Sequence, residues 1–187
     1  MKVQKMKKQF VAGLFAAAMM TPAAALAQDS NETETFIGVS AGYHDLGIGS
    51  DEAEGVDIDD ASPIFGVVAG VDFPIGGDLF AGVEGNFHFG TDAVDYEYGA
   101  LARFGIVDSS GTKYYLRGGY QEIELDVEEI LNVELDDGDL DGVDTSDGDL
   151  IVGAGIDIPL AGGKLRFNVD TVSFDTVRGT TGFVFSF

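Results

Sequence analysis

Eight stretches of this chain alternate between apolar residues and polar residues or glycine with a period of two. That period places successive side chains on opposite faces of an extended strand, and it leaves little freedom of fold. The stretches are "TFIGVSAGYHDL" (35–46), "PIFGVVAGVDF" (63–73), "LFAGVEGNFHF" (79–89) and "YEYGALARFGIV" (96–107). They continue with "KYYLRGGYQ" (113–121), "DLIVGAGIDI" (149–158), "KLRFNVDTVSF" (164–174) and the closing "TTGFVFSF" (180–187). One face carries Val39, Val67, Val83, Phe104, Leu116, Val169 and the final Phe183, Phe185 and Phe187, with scarcely a charge. The other face collects glycine and the ionisable residues Glu84, Arg103, Arg117, Asp157, Arg166 and Asp170. No helical period of useful length separates these runs, so successive strands are expected to be antiparallel neighbours.

Connection lengths refine the prediction. Tight turns are expected at 74–78, 108–111 and 160–163, and longer links after the first, third, fifth and seventh strands, the longest at 122–148. A soluble barrel of eight antiparallel strands keeps its apolar face inside and its polar face in water. Glu84, Arg103, Arg117 and Asp170 make a poor dry core but a good salt-bridged interior. The pattern therefore predicts an all-β, eight-stranded antiparallel up-and-down transmembrane β-barrel, with hydrocarbon outside and charges inside. Tyr43, Tyr96, Tyr98, Tyr114 and Tyr120 fall near strand ends, where an aromatic girdle belongs.

The first residues set the compartment. Lys2, Lys5, Lys7 and Lys8 precede the apolar run "FVAGLFAAAMM", and Ala25-Leu26-Ala27 offers a small-residue cleavage site. Residues 1–27 read as a secretory signal peptide, leaving a barrel domain over 28–187. Four of the ten Lys+Arg and none of the 33 Asp+Glu lie in the leader, so the mature chain has six cations against 33 anions, net −27. That balance carries no nucleic-acid footprint and favours a salty medium or bound divalent cations. The chain has no cysteine, so no disulfide supports it despite export.

The terminal "TGFVFSF", the leader, the eight strands and the "GVSAGY" and "GAGIDI" cadences together resemble the OmpA-like/OmpX-like family of small outer-membrane β-barrels. The resemblance implies a Gram-negative outer-membrane location, loops outside and both termini periplasmic. It implies partnership with outer-membrane lipid and lipopolysaccharide, and recognition of the strand holding Phe183, Phe185 and Phe187 by the barrel-assembly machinery. A monomer is expected, with no peptidoglycan-binding domain after the last strand.

Two features are candidates for function. Turn geometry sets Asp157 opposite Arg166 and Arg103 opposite Arg117, with Glu84 and Asp170 at a similar height. These six residues are expected to form a mid-barrel charge network that plugs a barrel too narrow for a channel; the alternative is a small porin-like pore for ions or small solutes. The second feature is "DDGDLDGVDTSDGD" (136–149), where Asp137, Asp139, Asp141 and Gly142 match the opening of a Ca²⁺-binding loop, with Asp144 following. The twelfth position is Gly148 instead of glutamate, so the match is partial. Glu52, Glu54, Asp57, Asp59 and Asp60 form a second acidic run. The two histidines, His44 and His88, both fall on the predicted inward face; His88 has Glu84 one register below it but no serine near it in sequence, and no catalytic residue is expected. The expected role is a structural and surface-interaction barrel whose acidic loops bind divalent cations or an extracellular ligand.

Overall fold

A computed structural model describes residues 32–45, 61–91, 94–125 and 146–187. They form eight strands: β1 (Glu34–Asp45), β2 (Ala61–Gly76), β3 (Leu79–Gly90), β4 (Val94–Val107), β5 (Lys113–Leu125), β6 (Ser146–Leu160), β7 (Gly163–Val172) and β8 (Val177–Ser186). Each strand pairs antiparallel with its sequence neighbour, and β8 pairs with β1 to close the barrel. Closure leaves no edge with unpaired backbone groups. It also explains an apolar alternation at a chain end, where fraying is the norm. Beyond the last residue of β8, Phe187 still exchanges both backbone hydrogen bonds with Thr35, at 2.9 and 3.0 Å.

The two faces are sorted as the alternation requires. Val39, Leu116 and Val169 point outward and are 62, 68 and 63% exposed. Arg103, Arg166, Asp157 and Glu97 point inward and are 0–1% exposed. A slip of one residue in any pairing would exchange these faces. It would push arginines into the outer layer at about 2–4 kcal/mol each if that layer is hydrocarbon. The register is therefore held by chemistry on both faces.

Large interior side chains lie over glycines of neighbouring strands. A Cβ on Gly70 would come 2.5 Å from the Phe36 ring, and one on Gly155 would come 2.4 Å from the Tyr115 ring. Inside an eight-stranded barrel there is room only for side chains, so these glycines make space for the rings. Apolar residues add two interior clusters, Phe36–Val68–Val184 and Val94–Leu101–Ile123–Ile151–Val172.

Strand ends depart from the sequence reading. β2 runs on to Gly76, β5 to Leu125, and β6 begins at Ser146, because backbone pairing continues past the last clean alternation. β7 stops at Val172 because Ser173 and Phe174 adopt left-handed backbone, φ 55° and 66°. The links after β3 (91–93) and β7 (173–176) are short, contrary to expectation. Only 46–60 and 126–145 separate their strands widely, and both stretches lie outside the described residues. The opposite end, the turn end, carries Gly77–Asp78, 108–112 and Ala161–Gly162. There Asp108 Oδ1 accepts from Ser110 N (2.8 Å), Ser110 Oγ (2.5 Å) and Thr112 N (3.0 Å), which holds its carboxyl below the usual carboxylate range.

Two consecutive non-glycine residues in the left-handed region are costly, and Asn-Gly is the pair suited to such a turn. Replacing Ser173-Phe174 by Asn-Gly is expected to stabilise the folded barrel by about 1–2 kcal/mol. The urea midpoint should rise; an unchanged or lower midpoint would mean Phe174 makes contacts that outweigh the strain.

Candidate functional site: a charge column through the barrel

Every Lys and Arg after residue 8 belongs to the barrel strands. Arg103, Lys113, Arg117, Arg166 and Arg178 are buried, and Lys164 is half-buried at the turn end. Six carboxylates face them: Glu34, Asp72, Glu84, Glu97, Asp157 and Asp170. The column therefore carries no net charge. The other 27 of the chain's 33 acids lie in sequence outside this column, as none of its Lys and Arg beyond residue 8 does.

The middle of the column is bidentate. Arg166 donates to Asp157 through Nε (2.7 Å) and Nη2 (2.6 Å), and reaches Glu84 with Nη1 (2.5 Å). Arg117 donates to Asp170 through Nε (2.7 Å) and Nη2 (2.5 Å), and to Glu84 through Nη1 (2.7 Å). Glu84 thus joins two forks that start on different strands. Planar guanidinium donors match carboxylates in this way and lysine does not. Register supplies the positions: Asp157 pairs with Arg166 across β6–β7, and Arg103 with Arg117 across β4–β5.

Arg103 is held differently. Its Nη2 donates to Asp157 at 3.0 Å, while Nη1 stands 3.5 Å from both Asp72 and Glu84. Its guanidinium lies 4.0 Å from the Tyr115 ring centroid and 4.8 Å from that of Phe36. Ring faces thus supply part of what hydrogen bonds supply for the other two arginines. The Tyr115 hydroxyl donates to Asp157 Oδ1 at 2.9 Å.

Toward the turn end, Lys113 donates to Asp72 (2.7 Å) and contacts Glu34 (3.1 Å), which also receives Lys164 and the Ser186 hydroxyl. A cavity of about 880 Å³ opens here, lined by Glu34, Asp72, Phe80, Lys113 and Lys164 among others. Toward the link end, Arg178 bridges Asp170 (3.1 Å) and Glu97 (2.5 Å). Glu97 also meets His44 Nδ1 at 2.7 Å and His88 Nδ1 at 3.4 Å.

His88 Nε2 stands 2.7 Å from the Ser40 hydroxyl. Ser40, His88 and Glu97 thereby share the nitrogen roles of a serine hydrolase. Acyl transfer also needs backbone donors aimed at an oxyanion. Ser40 sits mid-strand, paired with Gly66 on one side and Gly182 on the other, so the local N–H groups serve the sheet. The same carboxylate is already bonded to Arg178 and His44. The trio acts here as part of the column, with His88 lying over Gly66.

The structure brings together Glu84, Arg103, Arg117, Asp157, Arg166 and Asp170. Sequence reasoning missed Asp72, Glu97, Lys113, Tyr115 and Arg178 as members, although the first four sit on the inward phase of their strands. Ser40 reaches His88 across the intervening β2, which no adjacent-strand argument finds. Asp137, Asp139, Asp141 and Asp144 lie outside the described residues, as do 1–27 and the acidic run at 52–60. Among the described residues no group of acids or histidines has metal-site geometry.

No protein-family model and no curated protein matches the chain. Solved structures do. The N-terminal β-barrel domain of Pseudomonas aeruginosa OprF aligns with a TM-score of 0.50 and 12% identity, covering 86% of this chain and 100% of that one. Ail, the attachment invasion locus protein of Yersinia pestis, gives 0.47 and 14%, covering 82% and 97%. Neisserial surface protein A gives 0.47 and 15%, covering 81% and 94%. The fold is that of the small eight-stranded outer-membrane barrels.

Removing one charge from the buried column leaves its partners uncompensated, at about 3–5 kcal/mol. Glu84→Gln keeps the shape and is expected to lower unfolding free energy in vesicles by that amount. The exposed Asp95→Asn should stay within about 0.5 kcal/mol of wild type. Equal urea midpoints for the two variants would mean the column is not an energetic unit.

Proposed function

We propose that residues 1–27 are removed on export and that the mature chain is a monomeric outer-membrane barrel with a plugged interior. Its role is structural and surface-interacting, with no catalytic step. The 46–60 and 126–145 loops face outward from the cell and both termini face the periplasm. The observation that carries this reading is the neutral column: six cations and six carboxylates fill the space a pore would need, inside a wall whose outer face is apolar. An eight-stranded barrel holds little beyond side chains, and charged groups tied by bidentate bonds do not yield readily to a passing ion.

Loops on a rigid scaffold are where recognition resides, and here they are strongly acidic. Lipopolysaccharide and lipid surround the wall, the β8 strand ending in Phe183, Phe185 and Phe187 engages the assembly machinery, and Asp137, Asp139, Asp141 and Asp144 bind Ca²⁺. Titration of the refolded protein with Ca²⁺ in a calorimeter should give saturable heat that is lost when 126–145 is deleted. Heat no different from that of added ionic strength would end the Ca²⁺ reading.

The second reading, a small pore for ions or solutes, draws on the cavity of about 880 Å³ at the turn end. In planar bilayers the plugged barrel should give no steady open-channel current. Reproducible large unitary currents would overturn the plug and favour the pore.

A further inference from the structure

His44 on β1 and His88 on β3 are the chain's two histidines, and both are buried in the link half of the barrel. Their Nδ1 atoms converge on one carboxylate, Glu97 of β4, at 2.7 and 3.4 Å. The other nitrogen of each ring reaches a hydroxyl. His44 Nε2 lies 3.1 Å from Thr176 Oγ1, and His88 Nε2 lies 2.7 Å from Ser40 Oγ. Thr176 belongs to the short link that leads into β8, and Ser40 to β1. The two rings therefore tie both sides of the β1–β8 seam, the one that closes the barrel, to a glutamate of β4.

What surrounds the rings decides what a proton on them does. His44 stands directly opposite Arg178 across the β1–β8 seam and opposite Ser62 across β1–β2. His88 stands opposite Glu97 across β3–β4 and opposite Gly66 across β2–β3, with Arg117, Arg178 and Glu84 also within electrostatic reach. Glu97 is already taken by Arg178 Nη1 at 2.5 Å, and Asp170, the other carboxylate bonded to Arg178, holds the Arg117 fork. A charged imidazole thus meets a neutralised pair instead of a free carboxylate. Six cations and six carboxylates balance only while both rings are uncharged. An imidazolium at His44 sets like charges directly opposite one another on the seam, an arrangement that destabilises a strand pair. In a site closed to water that repulsion is stronger than at a surface.

We propose that His44 and His88 form an acid-sensitive latch on the closing seam. With both rings uncharged, the latch holds the link ends of β1 and β8 together. Imidazole in water changes charge between about pH 5 and 8. A proton that the closed barrel does not hold is bound by the opened seam, so acid favours the opened form. Opening is confined to the link end. The turn half of the same seam is held by the Phe36–Val68–Val184 cluster and the Thr35–Phe187 backbone pair, with no histidine. The latch depends on the barrel interior alone; that it answers to acid outside the cell rests on the orientation proposed above.

The test is amide hydrogen exchange of the protein refolded into vesicles, at about pH 7.5 and about pH 5 on both sides of the bilayer, corrected for the intrinsic rate. Each proton taken up on opening shifts the equilibrium by up to about tenfold per pH unit. Exchange at 41–45 and 176–180 should therefore rise about tenfold or more in acid, while 36–39 and 183–186 hold steady. The double variant His44→Gln, His88→Gln, uncharged at either pH, should lose the acid response. Asp175→Asn, which removes an exposed carboxylate from the same link, should keep it. Imidazole carbon resonances of the wild type report the trigger without any variant, since the chain has no other histidine. The seam should loosen in step with their titration. Equal exchange at the two pH values would overturn the latch, and so would an acid response that survives in the double variant. Should that variant not fold, loosening out of step with the imidazole titration would overturn it equally. Both sides of the vesicle see the same pH, so each of these results leaves the proposed orientation standing.

Discussion

Glu84 is the residue on which the interior depends. It accepts from Arg117 and Arg166 and faces Arg103, so one carboxylate compensates guanidinium groups from β4, β5 and β7. Burying an ion costs several kcal/mol even after relaxation, and the cost is offset only when geometry is good and remaining donors are satisfied. Asp157 and Asp170 complete that condition with bidentate contacts, and Arg178 and Glu97 extend it toward the link end. The column is thus a consequence of placing arginines in a narrow barrel, since each needs a partner at a fixed height. A conformational effect follows: the forks set the height of β4–β7 relative to one another, in addition to the backbone ladder.

The outer wall answers to the opposite requirement. Val39, Val83, Leu116 and Val169 expose more than half their surface, and among the described residues no second layer covers them. Fully burying such a side chain is worth about 1.5–3 kcal/mol, so a wall of them left in water would oppose folding. The inverted arrangement is stable where hydrocarbon is the solvent. Closure then follows from the same solvent, because unpaired strand edges have no partner there. The two faces, the closed topology and the stapled terminus share this one cause.

Much of the fold was legible because a period of two is unambiguous when one face is apolar and the other ionic. The strand count, the inward phase of Glu84, Arg103, Arg117, Asp157, Arg166 and Asp170, and the opposition of Asp157 to Arg166 all follow from alternation and turn position. Other features were hidden for physical reasons. Phe36, Phe80 and Tyr115 look like wall residues by type, yet they point inward over strand glycines or an arginine. Arg178 lies before the final apolar alternation and showed no partner until the ladder ran past it. Ser40–His88 skips a strand, and so escapes reasoning by adjacent register. The lengths of the links after β3 and β7 were misjudged because β4 and β8 begin to pair, at Val94 and Val177, before their hydropathy starts to alternate.

The chain's lack of native cysteine makes a direct test of the two faces possible. Single cysteines at Val83, Leu116 and Thr180, spin-labelled in refolded vesicles, report whether dissolved oxygen or a water-soluble nickel chelate reaches each position. Val83 and Leu116 should be relaxed strongly by oxygen and weakly by the chelate, while Thr180, inside the wall, should respond weakly to oxygen. Strong relaxation of Val83 and Leu116 by the nickel chelate would put water against the apolar face and contradict the account.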